Sequence, residues 1–292
     1  MKFITLFIAG LLFLNIITFS HDKSEFWDEY FEPDSLAALS NEYPTIELDY
    51  GMGIPRFKND YIDKNFTDIS VAELKLGFTK KRVDLYNQFA MSYKFTYFLI
   101  GTITSDWTSE DKIGDNLNSN VWRLGLGMSR GYGYNISEGT YFVLFNSGNI
   151  FWSKVEFKDK DAATSITKDI LKTYDNGNFR FCQSYESGFK FQMFYPLSIG
   201  ASYEKIIVYP RLMTWYWLGS QILTGIGQST IEYFTHKVAK ASPGAGSIVH
   251  FILINAYNYG AYELRKKYMN WPYQTASPLM YDNWKVGLTF AF

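Results

Sequence analysis

The chain closes on Trp284-Lys285-Val286-Gly287-Leu288-Thr289-Phe290-Ala291-Phe292. Trp284, Val286, Leu288, Phe290 and Phe292 recur with a period of two, so an extended backbone puts all five on one face. The same alternation appears further back. Ile46, Leu48, Tyr50 and Met52 alternate with Glu47, Asp49 and Gly51. Ala72, Leu74, Leu76 and Phe78 alternate with Glu73, Lys75, Gly77 and Thr79. Met91, Tyr93, Phe95 and Tyr97 alternate with Ser92, Lys94 and Thr96. Trp122, Leu124, Leu126 and Met128 alternate with Arg123, Gly125, Gly127 and Ser129. Phe189, Phe191, Met193 and Tyr195 alternate with Lys190, Gln192 and Phe194. A soluble β-sandwich also alternates, but its inner face has no place for charge. Here one face is large and lipophilic while the other collects charges and glycines. That division suits a membrane barrel with a water-containing lumen.

Turn residues punctuate the strands at Ser105-Asp106, 114–116, Asn146-Ser147-Gly148-Asn149 and Asp175-Asn176-Gly177-Asn178. Between them, Asp161 to Tyr174 places Ile166, Ile170 and Tyr174 at four-residue steps. This reads as a short amphipathic helix capped by Asp161, with a further strand as the alternative. Strand resumes over 197–209. After Pro210 the period changes. Two apolar runs, Leu212 to Lys240 and Ile248 to Leu264, flank Ser242-Pro243 and predict an α-helical hairpin over 212–267, inserted before the last strand. Arg265, Lys266 and Lys267 suit the negative end of the second helix. Residues 268–282 carry Trp271-Pro272 and Ser277-Pro278 and read as irregular.

The composition agrees. Aromatics make up 19% of 292 residues, more than an ordinary soluble domain uses and in keeping with aromatic girdles at two membrane interfaces. Mean hydropathy is only -0.15, which disfavours a bundle of membrane helices but not a wall that alternates. A formal net charge of -1 offers no field for nucleic acid. Cys182 is a single cysteine and excludes an intramolecular disulfide. With only His21, His236 and His250 and no ligand motif, neither a metal nor another cofactor is expected.

The N-terminus reads as an export signal, 1–20. Lys2 is followed by an apolar core from Phe3 to Phe19, and Thr18 and Ser20 have the spacing of a signal-peptidase site, so the mature chain should begin at His21. A membrane anchor is the alternative. Residues 21–44 are acidic and aromatic and read as a periplasmic lead-in to a barrel over 45–292.

The closing nine residues also carry a family resemblance. Trp284, Val286, Leu288, Phe290 and the terminal Phe292 match the C-terminal signature of bacterial outer-membrane β-barrel proteins. The resemblance implies that these residues form the last membrane strand and are recognised by the barrel-assembly machinery. It implies a Gram-negative outer membrane as the compartment and outer-membrane lipid as a partner. It implies no activity, since channels, enzymes, adhesins and anchors share the architecture. The mature chain without its hairpin suffices for about 8–12 antiparallel strands of roughly ten residues each. So narrow a barrel leaves the hairpin to plug the lumen, to cap it from the periplasm, or to lie at the membrane interface.

Candidate sites follow from this register. Glu47, Asp49, Glu73, Lys75, Lys94, Arg123 and Lys190 should face the lumen, as a conduction path, an anion site or a salt-bridge network. An arginine at Gly125 should be tolerated there if the lumen has space, whereas one at Leu124 or Leu126 would face lipid. Glu204 and Arg211 flank the passage from strand to helix and are expected to pair, either as an internal ion pair that holds the hairpin or as a solvent-exposed pair of little energetic value. Ser247 and His250, three apart on the second helix, share a face. A hydrolase needs an orienting acid as well, and nothing in the sequence marks one. The reading is therefore a non-enzymatic, porin-like barrel that transports small solutes or acts as a scaffold, with a hairpin that restricts or caps its lumen and, as an alternative, docks a periplasmic partner. A barrel phospholipase or acyltransferase is the alternative from another class, and a secreted soluble β-protein the third.

Overall fold

Strand β8 (Leu279–Ala291) contains the alternating terminal segment, and it closes a ring. The other strands are β1 (Asn41–Phe57), β2 (Ile69–Val83), β3 (Ala90–Thr104), β4 (Asn118–Ser137), β5 (Thr140–Lys158), β6 (Arg180–Phe194) and β7 (Leu197–Val208). Each is antiparallel to the next, and β8 pairs with β1. This computed structural model describes residues 41–57, 65–83, 90–107, 116–137, 139–158 and 164–292. The expected signal and residues 21–40 of the lead-in lie outside them. Its last part, 41–44, belongs to β1 instead.

Following the pairing once around the wall from Glu47 passes Lys75, Leu99, Gly125, Phe151, Cys182, Val208 and Leu279. It returns to β1 at Phe57, ten residues further on. That stagger is what tilts the strands of a small closed barrel by roughly 35–45°. The strands run from 12 to 20 residues, longer than the span of a membrane, so the chain yields eight strands, the lower bound of the expected number.

One end of the barrel carries tight turns. Gly139, with φ of 80°, lies between β4 and β5, and residues 195–196 join β6 to β7. The other end carries the long connections. Helix α1 (Ser165–Lys172) sits in the β5–β6 connection, capped by Thr164 rather than Asp161. Its inward face is Thr167 and Leu171, with Tyr174 beyond, one step round from the expected stripe. Ile166 is exposed. Helices α2 (Thr214–Ala241) and α3 (Pro243–Arg265) form the hairpin between β7 and β8. The residue before a proline avoids the helical region, and Ser242, at φ -150° and ψ 92°, breaks the two apart there.

Two expectations fail inside the strands. Asn146 to Asn149 is not a turn but the middle of β5. Its polar residues serve partners on both sides of the wall, as described below. In β3 the register is inverted. Tyr93, Phe95 and Tyr97 point inward and are buried, while Lys94 points outward and is exposed.

Candidate functional site

Inward residues of non-adjacent strands meet across the lumen, which fills it at three levels. At the middle level lies a charge network. Lys75 Nζ stands 3.0 Å from Glu47, 2.7 Å from Asp49, 3.4 Å from Glu73 and 3.1 Å from Glu186. Lys285 lies 3.2 Å from Glu73, 3.1 Å from Glu186 and 3.2 Å from Glu204. Arg123 bridges Glu73 at 2.6 Å and Glu204 at 3.0 Å. Lys190 pairs with Glu47, which also accepts from Thr289. All of these side chains are buried. Each cation of this network already engages a carboxylate. Removing one member would strand its partners, at a cost of roughly 3–5 kcal/mol for a buried charge.

Lys94 takes no part in the lumen. It stands outside, in register with Lys80 and Arg130 near the tight-turn end, where a long stem can carry its charge to the membrane edge. Its neighbours do the work inside. Lys190 lies over the rings of Tyr93 and Phe95, and the Tyr97 hydroxyl donates to Asn149 at 2.7 Å. Gly127 makes room for that ring, since a Cβ there would come within 2.5 Å of it. Gly125 is closed as well: a Cβ would meet that of Phe151 at 2.3 Å, so the lumen has no space for an arginine there.

Towards the long-loop end the lumen becomes apolar. Ile69, Val71, Ile103, Val121, Val155, Val208, Leu279 and Tyr281 pack together, covered by Leu171 and Tyr174. At the tight-turn end, Lys81 donates to Gln192 and lies over the rings of Tyr43 and Tyr141. The filling comes from the wall itself.

The hairpin is therefore not a plug, and it does not sit beneath the barrel. It lies against the outer wall. Every contact it makes with β4, β5 and β6 is to an outward position, and the contacts descend in order. Trp217 packs edge-on to Phe181, 5.4 Å between centroids. Gln221 and Gln183 exchange hydrogen bonds at 3.1 and 2.9 Å. Buried Arg265 donates to the Tyr185 hydroxyl at 2.8 Å and to Thr224 at 2.8 Å. Asn255 accepts from Asn146 at 2.6 Å and from Ser187. His250 meets the Tyr132 ring at 5.0 Å, and the Tyr134 hydroxyl donates to the Gly244 carbonyl. Phe181 is the second residue of β6 at the long-loop end, and Tyr134 is near the tight turn, so the hairpin straps the full height of the wall.

Ser247 and His250 are on the face of α3 that packs on that wall, with Ser247 buried, so the structure gives them the position of packing residues. Glu204 and Arg211 do not pair. Glu204 points into the lumen, where Ser184 also donates to it at 2.7 Å, whereas Arg211 lies exposed beyond the strand. The junction is made elsewhere: Tyr262 donates to Asp282 at 2.7 Å, and Lys205 lies over the rings of Tyr259 and Tyr262. Sequence reasoning passed over Gln183, Tyr185, Ser187 and Lys205. Their polarity at outward positions was the available signal that lipid does not reach them.

A closed, even-numbered antiparallel barrel with an apolar exterior is the architecture of bacterial outer-membrane β-barrels. No protein-family profile and no curated protein matches the chain. Among solved structures it is similar to Ail, the attachment invasion locus protein of Yersinia pestis. Identity there is 10% over 86% of this chain and 98% of that one, with a TM-score of 0.31. It is also similar to Neisserial surface protein A, with 7% identity over 87% and 99% and a TM-score of 0.32. Likeness this slight transfers no function to the present chain.

Proposed function

We propose that the chain is a non-enzymatic component of a bacterial outer membrane, acting as a membrane scaffold and not as a conduit for small solutes. In this reading residues 1–20 direct export and are removed after Ser20. Strand β8 and Phe292 address the chain to the barrel-assembly machinery. The tight-turn end, to which both ends of the barrel return, faces the periplasm and any partner there. The outward band from Phe292 through Leu288, Leu48, Phe78 and Leu126 to Trp122 and Ile54 then meets lipid; all are at least 42% exposed.

One observation carries the scaffold reading over transport: the lumen is occupied by the interlocked Lys75, Arg123, Lys190 and Lys285 network beneath an apolar layer. Planar-bilayer recording tests it. Low conductance is expected from the intact chain and from a version with residues 212–267 replaced by a short Gly/Ser linker, because the hairpin is outside the lumen. A large, steady conductance from the intact chain would return transport to first place.

A further inference from the structure

The hairpin's outward face has a composition that its fold does not explain. On α2 the exposed side chains include Trp215, Tyr216, Ile222, Leu223, Ile226, Tyr233 and Phe234; on α3 they include Ile248, Ile252, Tyr259 and Leu264. Ile226 is 61% exposed and Ile252 58%. Among the described side chains, no exposed charge interrupts α2 between Trp215 and Lys237. That stretch measures about 33 Å at 1.5 Å per residue, close to the roughly 30 Å of a hydrocarbon core. An aromatic pair marks one end and a lysine the other. Exposed polar residues within it are hydroxyls, and Thr230 returns its own to the Ile226 carbonyl at 3.0 Å.

The polar residues of the hairpin turn the other way. Gln221 and Asn255 meet the wall, Gln228 donates to Asn258 at 2.9 Å between the helices, and Tyr257 donates to the Thr224 carbonyl at 3.0 Å. Glu232 is drawn in beside Arg130 of β4. Among the described residues no helix is long and apolar enough to cross a membrane by itself. Packed on the barrel, Gln221, Asn255, Gln228 and Tyr257 are hydrogen-bonded, as polar groups at membrane depth must be.

We infer that the outward face of α2 and α3 is a lipid-contact surface, and that the hairpin lies in the hydrocarbon beside the barrel with acyl chains as its partner. This rests on the membrane reading proposed above. Two facts select lipid. The hairpin's contacts span the same height as the bare apolar band on β1, β2 and β8, so its face continues that band. The wall beneath it presents Asn146, Gln183 and Ser187, each of which the hairpin meets with a hydrogen bond of its own. Wall and hairpin form one amphipathic unit, and neither half suits the membrane without the other.

The test uses the full chain in phospholipid vesicles, with a nitroxide on Ile226→Cys, Ile252→Cys or, on the bare wall, Leu126→Cys. The native thiol, Cys182, is buried, and the parent chain serves as the labelling control. Collision rates with oxygen, which partitions into lipid, and with a water-soluble nickel chelate are read by electron paramagnetic resonance. At Ile226 and Ile252 the loss of chelate collisions and the gain of oxygen collisions should match Leu126. Chelate access at the two hairpin sites, with Leu126 shielded, would overturn the inference and leave the membrane barrel intact. Shielding from both reagents would also overturn it, because protein and not lipid would then cover the face. Chelate access at Leu126 itself would overturn the membrane reading, and this inference with it.

Discussion

Along β8, β1 and β2 the outward positions read Trp284, Val286, Leu288; Ile46, Leu48, Tyr50, Met52; and Leu76, Phe78. On β5, β6 and β7 they include Asn146 and Gly148, then Gln183, Tyr185 and Ser187, then Lys205. The first group is largely exposed. Most of the second lies under the hairpin or against it. Both belong to one sheet with one alternation, and both turn their other face to the same lumen. The difference lies in what stands opposite the wall. Where nothing covers it, the outward residues are apolar because unpaired polar groups in hydrocarbon are costly. Where a helix covers it, polar residues are admitted and become the means of attachment.

The largest effect expected from this contrast is on the bare side. Leu126→Arg should cost about 2–4 kcal/mol, the range for an arginine facing lipid near the bilayer midplane. Lys205 is charged and outward on the same wall, yet it is sheltered over the rings of Tyr259 and Tyr262, at 4.1 and 4.2 Å. Folding titrations in lipid vesicles would read the difference. If Leu126→Arg folded with wild-type stability, the bare wall would not be facing hydrocarbon.

The sequence made some of this contrast legible. The registers of β1, β2, β4, β6 and β8 can be read because, away from the strand ends, charge and glycine occupy one face only. Glu47, Asp49, Glu73, Lys75, Arg123 and Lys190 accordingly stand in the lumen. Strand β3 defeats the same rule. Tyrosine and phenylalanine suit a lipid face, but they also suit a lumen that holds lysines, where rings accept cations and hydroxyls find partners. The run Asn146 to Asn149 deceived for a related reason. Asn146 serves the hairpin, while Asn149 donates to Ser184 at 2.9 Å and accepts from Tyr97 inside the barrel, so a polar run arises without any turn. The helical hairpin could be recognised by its period and its proline, but its seat could not. Apolarity all round a helix says that it must be covered, and nothing local says by what.

A smaller effect belongs to the attachment itself. Asn255→Leu should destabilise by about 1–3 kcal/mol, because Asn146 and Ser187 would each lose an acceptor at membrane depth. Adding Asn146→Leu and Ser187→Ala should return part of that loss, since the stranded groups are then gone and the three sites are coupled. The same vesicle titration, with heat-dependent gel migration as a second measure of barrel closure, distinguishes the outcomes. Equal stability of the single and triple variants would mean that the polar contact does not hold the hairpin to the wall.

The smallest effect sharpens the border between the two halves. Gly148 points outward from β5, between Asn146, which the hairpin covers, and Ile150, which is half-buried. It is exposed, and a Cβ built there meets nothing within 4 Å, although it lies in register between Met128 and Tyr185. Its backbone is not in the left-handed region. No close approach or turn therefore requires a glycine here, and the residue carries only the entropic cost of glycine in a strand. Gly148→Ala should stabilise the protein by roughly 0.5–1 kcal/mol. Gly125 on the inner face supplies the opposite case, because the same methyl would strike Phe151 and the Ile150 carbonyl, each at 2.3 Å. If Gly148→Ala instead destabilised the chain, the hairpin would press closer to β5 than its contacts at Asn146 and Tyr185 imply. The covered half of the wall would then run without a gap from Asn146 across Gly148 to Ile150, which packs against the Trp217 cluster.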